Sequence, residues 1–436
     1  MQLRIQPATR PLVGRCSPPG DKSISHRAAI LGGLAQGETR IDGFLAADDT
    51  LATLAAMESL GAVVSRDGES VIIQGGSLAA PAQPLDLGNS GTGMRLLAGA
   101  LAGERRLAGA SIQLVGDASL SGRPMGRIVR PLQAMGADLA AEDGHAPLTV
   151  RPRGLRAMSH RLEVASAQVK SAILLAALGA DGDTEIIEPG GTRDHTERML
   201  PQFGVPVVRD GRRIVVTGPS ALEAARIQVP GDLSSAAFLA AAAVLVPGSR
   251  VQLASVGVNP TRDGFLRILE RMSPEATIDR LIDGTRDGQG EAIATLDVRH
   301  VAALRGIDIP EEWVALSIDE FPVLMVLAAC ARGETCIRGA SELRVKESDR
   351  LAVMAEQLRR LGVDIDETED GARIRGGTVR GGEVDAGGDH RVAMSLAVLG
   401  LRADGPVTIH GAQWIRTSYP GFVEDLQALG GSAEWI

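Results

Sequence analysis

One layout recurs six times along this 436-residue chain and limits what it can fold into: a polar loop, an Ala/Leu-rich apolar run, a Gly, then a short β-rich run. The copies are "GDKSISHRAAILGGLAQGETRI" from Gly20, "GNSGTGMRLLAGALAGERRLAGASIQLVG" from Gly88, "SAQVKSAILLAALGADGDTEI" from Ser166, "GDLSSAAFLAAAAVLVPGSRVQL" from Gly231, "DEFPVLMVLAACARGETCI" from Asp319 and "GDHRVAMSLAVLGLRADGPVTI" from Gly388. Their starts lie roughly 65 to 90 residues apart, the period of a supersecondary repeat. Each copy is followed by an amphipathic second helix closing on Gly, as in "DTLATLAAMESLGA" and "SDRLAVMAEQLRRLGV". Strand pairs alternating across a Gly-containing turn come next in "AVVSRDGESVIIQG", "VPVVRDGRRIVVTG" and "VDIDETEDGARIRG", so the unit reads βαβαββ. The sixth unit stops short at "GGSAEWI", and "MQLRIQP" at the other end of the chain supplies its missing strand. The expectation is an α/β protein of two domains with three units each: 20–230 as one, 1–19 with 231–436 as the other, and a break near Pro230–Gly231. An insertion in the fourth unit, "DRLIDGTRDGQGEAIATL", reads as loop with nothing catalytic in it.

Bulk properties narrow the function. The apolar share of 44% supplies a sizeable core, but aromatics make up only 2%, too few for the stacking platforms of single-strand nucleic-acid binders. A net charge of -9 opposes nucleic acid and anionic membrane as partners, so an anionic ligand must be gripped by a local basic cluster. Cys16, Cys330 and Cys336 lack C-x-x-C spacing, which fits a reducing compartment without disulfides or zinc; Cys330 and Cys336 read as core. No charged-then-apolar leader opens the chain, and its longest apolar runs reach about 11 residues, short of the ~18 a membrane span needs. The expected location is the cytoplasm.

Repeats built for stability alone explain the apolar helices but not their loops. The first-helix starts hold Lys22 and Arg27, Asn89 and Arg95, Gln168 and Lys170, Asp319 and Glu320, and His390 and Arg391. The first of these helices is expected to begin near Ser23 or Ser25, with free backbone N–H groups and the positive dipole end beside Lys22 and Arg27. Second-helix starts add Arg123 with Pro124 in the first turn, Arg193, and Lys346, Glu347 and Arg350. This many Arg and Lys suit phosphate and carboxylate ligands. Asp319 and Glu347 disfavour anion binding by themselves and make better sense as proton-transfer groups, with Lys22 their acidic counterpart; an N-cap or an ion pair is the rival role for each. The P-loop, G-x-G-x-x-G, G-x-S-x-G and metal-type His spacings are all missing.

The motifs "PGDKSISHR", "LGNSGTGMR", "SGRPM", "SAQVKSA", "TRDHTE", "GDLSSAAF", "IDEFP", "RVKESDR" and "DHRVAMS" resemble, essentially end to end, the EPSP synthase family of 3-phosphoshikimate 1-carboxyvinyltransferases, nearer its second class. The resemblance implies a two-domain inside-out α/β barrel, each domain three βαβαββ repeats, with the chain crossing twice and the active site in the interdomain cleft. It implies carboxyvinyl transfer from phosphoenolpyruvate to the shikimate 3-phosphate 5-hydroxyl, with release of phosphate and no cofactor, in a monomer. By the same resemblance Lys22, Ser23, Arg27, Ser166, Ala167, Gln168, Thr192 or Arg193, Asp319 and Lys346 hold shikimate 3-phosphate. Lys22, Asn89, Gly91, Arg123, Gln168, Arg350, His390 and Arg391 surround phosphoenolpyruvate. Asp319 takes the hydroxyl proton, and Glu347 and Lys22 handle the methylene proton and the departing phosphate. Ala167 stands where many members have Ser, Glu342 where some have Asn, and Arg416–Thr417 where some have Lys. Gly91 implies room for the inhibitor glyphosate. The rival readings are transfer of the same group to UDP-N-acetylglucosamine, which in that sister family relies on a loop Cys, and a non-catalytic anion-binding repeat protein.

Overall fold

The computed structural model describes residues 1–273, 278–282 and 290–436. They form two compact units. The terminal unit comprises Met1–Pro19, the described residues from Pro230 to 282, and Ala292–Ile436; the central unit comprises Gly20–Val229 with Gly290 and Glu291.

Each unit is built on three apolar helices. In the central unit these are Lys22–Leu34, Gly91–Ala102 and Ala167–Ala177; in the terminal unit they are Leu233–Leu245, Phe321–Cys330 and His390–Gly400. Every residue of Leu233–Leu245 and of His390–Gly400 is buried, because the three helices of a unit pack on one another and the sheets cover their outer sides. Small residues set the approach: a Cβ on Gly99 would lie 2.3 Å from the carbonyl oxygen of Ala172 on the neighbouring helix, so only glycine fits there. The second helices, such as Gly264–Met272 and Arg350–Arg360, bury one face only.

The described strands form six sheets with one plan. The strand after each first helix pairs parallel with a lead strand on one side and antiparallel with a return strand on the other. In the central unit Gly37–Asp42 lies between Arg226–Gln228 and Ser70–Gly75, and Ile112–Val115 lies between Leu85–Asp86 and His145–Arg151. In the terminal unit Arg250–Gly257 lies between Val13–Cys16 and Ile293–Arg299. The sheet of Glu334–Ile337 has only isolated parallel bridges, Arg305 to Arg332 and Asp308 to Cys336, in the lead position.

Two lead strands are exchanged where the chain crosses. Val13–Cys16 precedes the passage at Pro19–Gly20 yet pairs with Arg250–Gly257, and Arg226–Gln228 precedes the return at Val229–Pro230 yet pairs with Gly37–Asp42. The N-terminal strand Gln2–Gln6 takes the return-strand place of the last sheet, antiparallel to both Val407–His410 and Ser432–Trp435.

Local expectations are corrected at several points. The first helix starts at Lys22, next to Ser23, where the Asp21 carboxylate caps it by accepting from the Ile24 N–H at 2.9 Å. Pro124 lies before the helix Gly126–Ala134 rather than in its first turn, after a short helix Ala118–Ser121. Cys330 is only partly buried. The insertion is not wholly loop: Ile278–Ile282 pairs antiparallel with Ile293–Arg299, and the part at 283–289 lies outside the described residues. Among the described residues no helix is long and apolar enough to cross a membrane.

Candidate active site

In the central unit the three first-helix starts and the loop before His195 carry the expected anion-binding groups. Lys22, the first residue of its helix, pairs with Asp49 of the second helix Asp48–Ser59. Arg27 is 2% exposed and threaded into a network: Nε donates to Thr196 Oγ1 at 2.8 Å, and the two terminal nitrogens donate to the Ser23 carbonyl at 2.8 Å and Ser171 Oγ at 2.7 Å. Burial pulls the Arg27 guanidinium down to about 10, with Glu197 and Asp21 opposing the shift. His26, fully buried, bonds to Thr53 Oγ1 at 2.8 Å and Ser90 Oγ at 3.3 Å and so joins the helix of Lys22 to the second helix Asp48–Ser59 and to the N-cap of Gly91–Ala102. Burial, then the charges of Lys22 and Arg27, hold its imidazole well below the usual histidine range.

Arg123 Nη2 donates to Asn89 Oδ1 at 2.5 Å, and Asn89 in turn donates to Asp117 Oδ2 at 2.8 Å. Between them Gly91 opens its helix; a Cβ there would lie 2.9 Å from the Arg95 and 3.2 Å from the Arg123 guanidinium nitrogen. Gln168 accepts from Arg95 at 2.8 Å and donates to Thr92 at 2.9 Å. Ser166 is the N-cap of the helix Ala167–Ala177, accepting from the Val169 N–H at 3.4 Å. Thr192 turns inward: it is 5% exposed and its hydroxyl donates to Glu188 Oε1 at 2.5 Å, whereas Arg193 beside it is half-buried.

In the terminal unit one guanidinium organises the acidic groups. Arg350, 1% exposed, donates through Nε to Asp389 Oδ2 at 2.7 Å, through Nη1 to Asp319 Oδ1 at 3.1 Å and through Nη2 to Glu347 Oε2 at 2.5 Å. Burial lowers its proton affinity, but the carboxylates of Asp389, Glu347 and Asp319 outweigh that and hold it above the ordinary arginine range. Lys346 Nζ lies 3.9 Å from Asp319 Oδ1; burial draws the ammonium below the usual lysine value, Asp319 resists, and Arg350 adds to the fall. Arg391 donates to the Asp319 carbonyl at 3.1 Å, and His390, buried, opens the same helix as Arg391.

Sequence reasoning missed Asp389. The signal is its place before "HR" at a helix start: it caps that helix through the Arg391 N–H at 2.8 Å while binding Arg350. Two neighbours of site residues are not ligand groups: Lys170 is fully buried between Glu188 and Glu197, and Glu320 is buried against Ser234 and Arg262. The expected dipole contribution beside Lys22 and Arg27 is reduced, because the Asp21 carboxylate already caps that helix. Arg416 is exposed, and Thr417 spends its hydroxyl on the Trp414 carbonyl at 2.8 Å. Among the described residues no group of three or more His, Cys, Asp or Glu is placed to hold a metal ion.

Repeated helix-and-sheet units in two bodies, cations and hydrogen-bond donors at the first-helix starts, and three carboxylates on a buried arginine are features that fit an enolpyruvyltransferase. The profile of EPSP synthase (3-phosphoshikimate 1-carboxyvinyltransferase) matches residues 7–426, and the chain belongs to that family. It is 52% identical over 430 residues to a 3-phosphoshikimate 1-carboxyvinyltransferase of Acidithiobacillus ferrooxidans, covering 98% of this chain and 97% of that one. A relative of the same name from Methylococcus capsulatus is 51% identical over 418 residues, 94% of each chain. A solved EPSP synthase structure from Acinetobacter baumannii superposes with a TM-score of 0.87 at 44% identity, covering 99% of each chain.

Proposed function

We propose that this chain joins phosphoenolpyruvate to shikimate 3-phosphate through the groups described above. The 5-hydroxyl of shikimate 3-phosphate adds to C2 of phosphoenolpyruvate and gives up its proton, while C3 gains one and becomes a methyl group. The tetrahedral intermediate then loses a methyl proton and expels inorganic phosphate, leaving the enolpyruvyl ether. Atoms and charge balance with an acid and a base alone.

In the central unit Lys22, Ser23, Arg27, Ser166, Ala167, Gln168 and Arg193 hold shikimate 3-phosphate; Arg193 is favoured over Thr192, whose hydroxyl is committed to Glu188. Lys22, Asn89, Gly91, Gln168 and Arg123 serve phosphoenolpyruvate there. In the terminal unit Asp319 takes the hydroxyl proton, Glu347 works with Lys22 on the methylene proton, Lys346 meets shikimate 3-phosphate, and Arg350, His390 and Arg391 meet phosphoenolpyruvate. The enzyme works in the cytoplasm as a monomer.

The observation that carries this reading is that one buried guanidinium holds both Asp319 and Glu347, orienting two carboxylates that pure anion binding has no use for. The sister reaction on UDP-N-acetylglucosamine is disfavoured by the cysteines: burial pushes the Cys16 thiol up to about 12 and those of Cys330 and Cys336 to about 11, leaving no reactive thiolate among them. The test is to follow inorganic phosphate with phosphoenolpyruvate and either acceptor. Release with shikimate 3-phosphate alone supports the reading; release with UDP-N-acetylglucosamine, or with neither from folded protein, overturns it.

A further inference from the structure

Lys170 has no place in the reaction and is nevertheless fully buried, which calls for a reason. Its Nζ lies 3.0 Å from Glu188 Oε1 and 2.7 Å from Glu197 Oε1, and donates to the Thr192 carbonyl at 3.4 Å. Glu188 closes the ring by accepting the Thr192 hydroxyl at 2.5 Å. Both polar ends of Thr192, side chain and backbone, are therefore held by one buried cluster. The segment before it is open, since a Cβ on Gly190 or Gly191 would meet nothing within 4 Å, and the loop is further anchored by Arg212 on the Pro189 carbonyl at 2.8 Å and by Arg198 and Arg209 on Asp194 at 2.8 and 3.2 Å.

The cluster also reaches the other acceptor-side groups. Ser171, next to Lys170, accepts from Arg27 at 2.7 Å and from Thr196 at 2.8 Å, and Glu197 is the strongest charge opposing the fall in the Arg27 proton affinity. Lys170 lies between two carboxylates, Glu188 and Glu197, with Arg209 4.0 Å from Glu188, in a space where an unmatched charge is costly. Lys170 sits two residues from Gln168 on the same helix, so one helix start sets the position of Gln168 and of the loop bearing Arg193.

We propose that Lys170 is a positioning residue for the acceptor site: through Glu188 and the Thr192 carbonyl it fixes the loop that presents Arg193 to the phosphate of shikimate 3-phosphate. This rests on the reading of Arg193 as an acceptor ligand. Steady-state kinetics of Lys170→Met, Lys170→Arg, Glu188→Gln and Arg193→Ala separate the two. Loosening the loop should lower kcat/KM for shikimate 3-phosphate on the order of 10- to 100-fold, the scale of a misplacement of about 1 Å, through KM. KM for phosphoenolpyruvate should change far less, through Gln168 alone, and Lys170→Arg should recover part of the loss. Glu188→Gln, which keeps an acceptor for Thr192, should show the same selective KM effect in weaker form and serves if Lys170→Met does not fold. A fall in kcat with both KM values unchanged, the mark of a smaller folded fraction, overturns the proposal. So does an unchanged shikimate 3-phosphate KM in Glu188→Gln or in a folded Lys170 variant while Arg193→Ala raises it. If Arg193→Ala itself leaves that KM unchanged, the acceptor reading of the loop fails, and the positioning role fails with it.

Discussion

Asp319→Asn separates chemistry from binding in the terminal unit. The carboxylate oxygen facing Arg350 at 3.1 Å and Lys346 at 3.9 Å becomes an amide oxygen of nearly the same shape, so the hydrogen bond from Arg350 survives while the base is lost. Losing a positioned general base costs about 10²–10⁴ in rate, or about 2.7–5.5 kcal/mol of barrier. Stability should change far less. Arg350 keeps Asp389 at 2.7 Å and Glu347 at 2.5 Å, so its buried charge is not left without a counterpart. A bare pair at about 4 Å attracts by about 4 kcal/mol at an effective dielectric near 20, but removing the carboxylate also removes its desolvation cost, and a net loss of about 1 kcal/mol is expected. Single-turnover phosphate release gives the rate, calorimetric titration with shikimate 3-phosphate gives the affinity, and urea unfolding gives the stability. The expected pattern is a turnover loss in that range, affinity within about tenfold, and a small shift in midpoint. Turnover near that of the native enzyme removes Asp319 from the mechanism, and collapse of affinity together with stability shows it to be structural.

Lys22→Met should raise both KM values and lower kcat, because a phosphate-binding charge and a proton donor leave together; a rise in KM alone makes Lys22 a binding residue only. Gly91→Ala puts a methyl group 2.9 Å from the Arg95 and 3.2 Å from the Arg123 guanidinium nitrogen, ends of flexible side chains that can yield. It should therefore raise KM for phosphoenolpyruvate and weaken glyphosate inhibition with little effect on stability, and unchanged values for both ligands would refute the crowding argument. His26 is held neutral in the folded protein, so the unfolded chain takes up its proton first as pH falls through about 6.5; stability from this group is full above that pH and declines below it. One such proton is worth about 2 kcal/mol between pH 7 and pH 5, with His160, also lowered by burial, adding to it. A urea midpoint for the unit carrying His26 that stays flat over this range contradicts the assignment.

Much of this was legible because the repeats announce themselves. Apolar runs such as "AAFLAAAAVLV" end on a Gly or a turn, and the sixth repeat visibly lacks a strand that Gln2–Gln6 supplies. The candidate site residues stand out in the sequence as types, because Lys and Arg at helix starts depart from ordinary capping. What stayed hidden was direction. Asp319 and Glu320 are neighbours, yet one lies on Arg350 and the other is buried against Ser234 and Arg262; Thr192 and Arg193 divide in the same way. Sequence spacing alone does not say which way a residue faces at a loop-to-helix junction. The exchange of Val13–Cys16 and Arg226–Gln228 was hidden for another reason: a parallel lead strand has no turn joining it to its partner, so no local signal marks the pairing.

Arg350 poses a question that its contacts answer in testable form. Each of its three nitrogens already donates to a carboxylate, so a phosphoenolpyruvate carboxylate approaching this guanidinium meets Asp319 and Glu347 on the nitrogens it would use. Asp319, Glu347 and Asp389 are offset by Arg350, Lys346 and Arg391, and one more anion tips that balance. Like charges at close range favour protonation of one of them, and Glu347, open to solvent where Asp389 is buried, is the carboxylate a proton can reach. Binding of the donor would then load the acid that later protonates its methylene carbon. In the enzyme saturated with shikimate 3-phosphate, where Asp319 keeps its charge, mixing with phosphoenolpyruvate should take up as much as about one proton before phosphate is released, read with a pH indicator in stopped flow. Adding Glu347→Gln should abolish the uptake. Binding without uptake, or uptake that survives Glu347→Gln, places the proton elsewhere and leaves Lys22 as the acid.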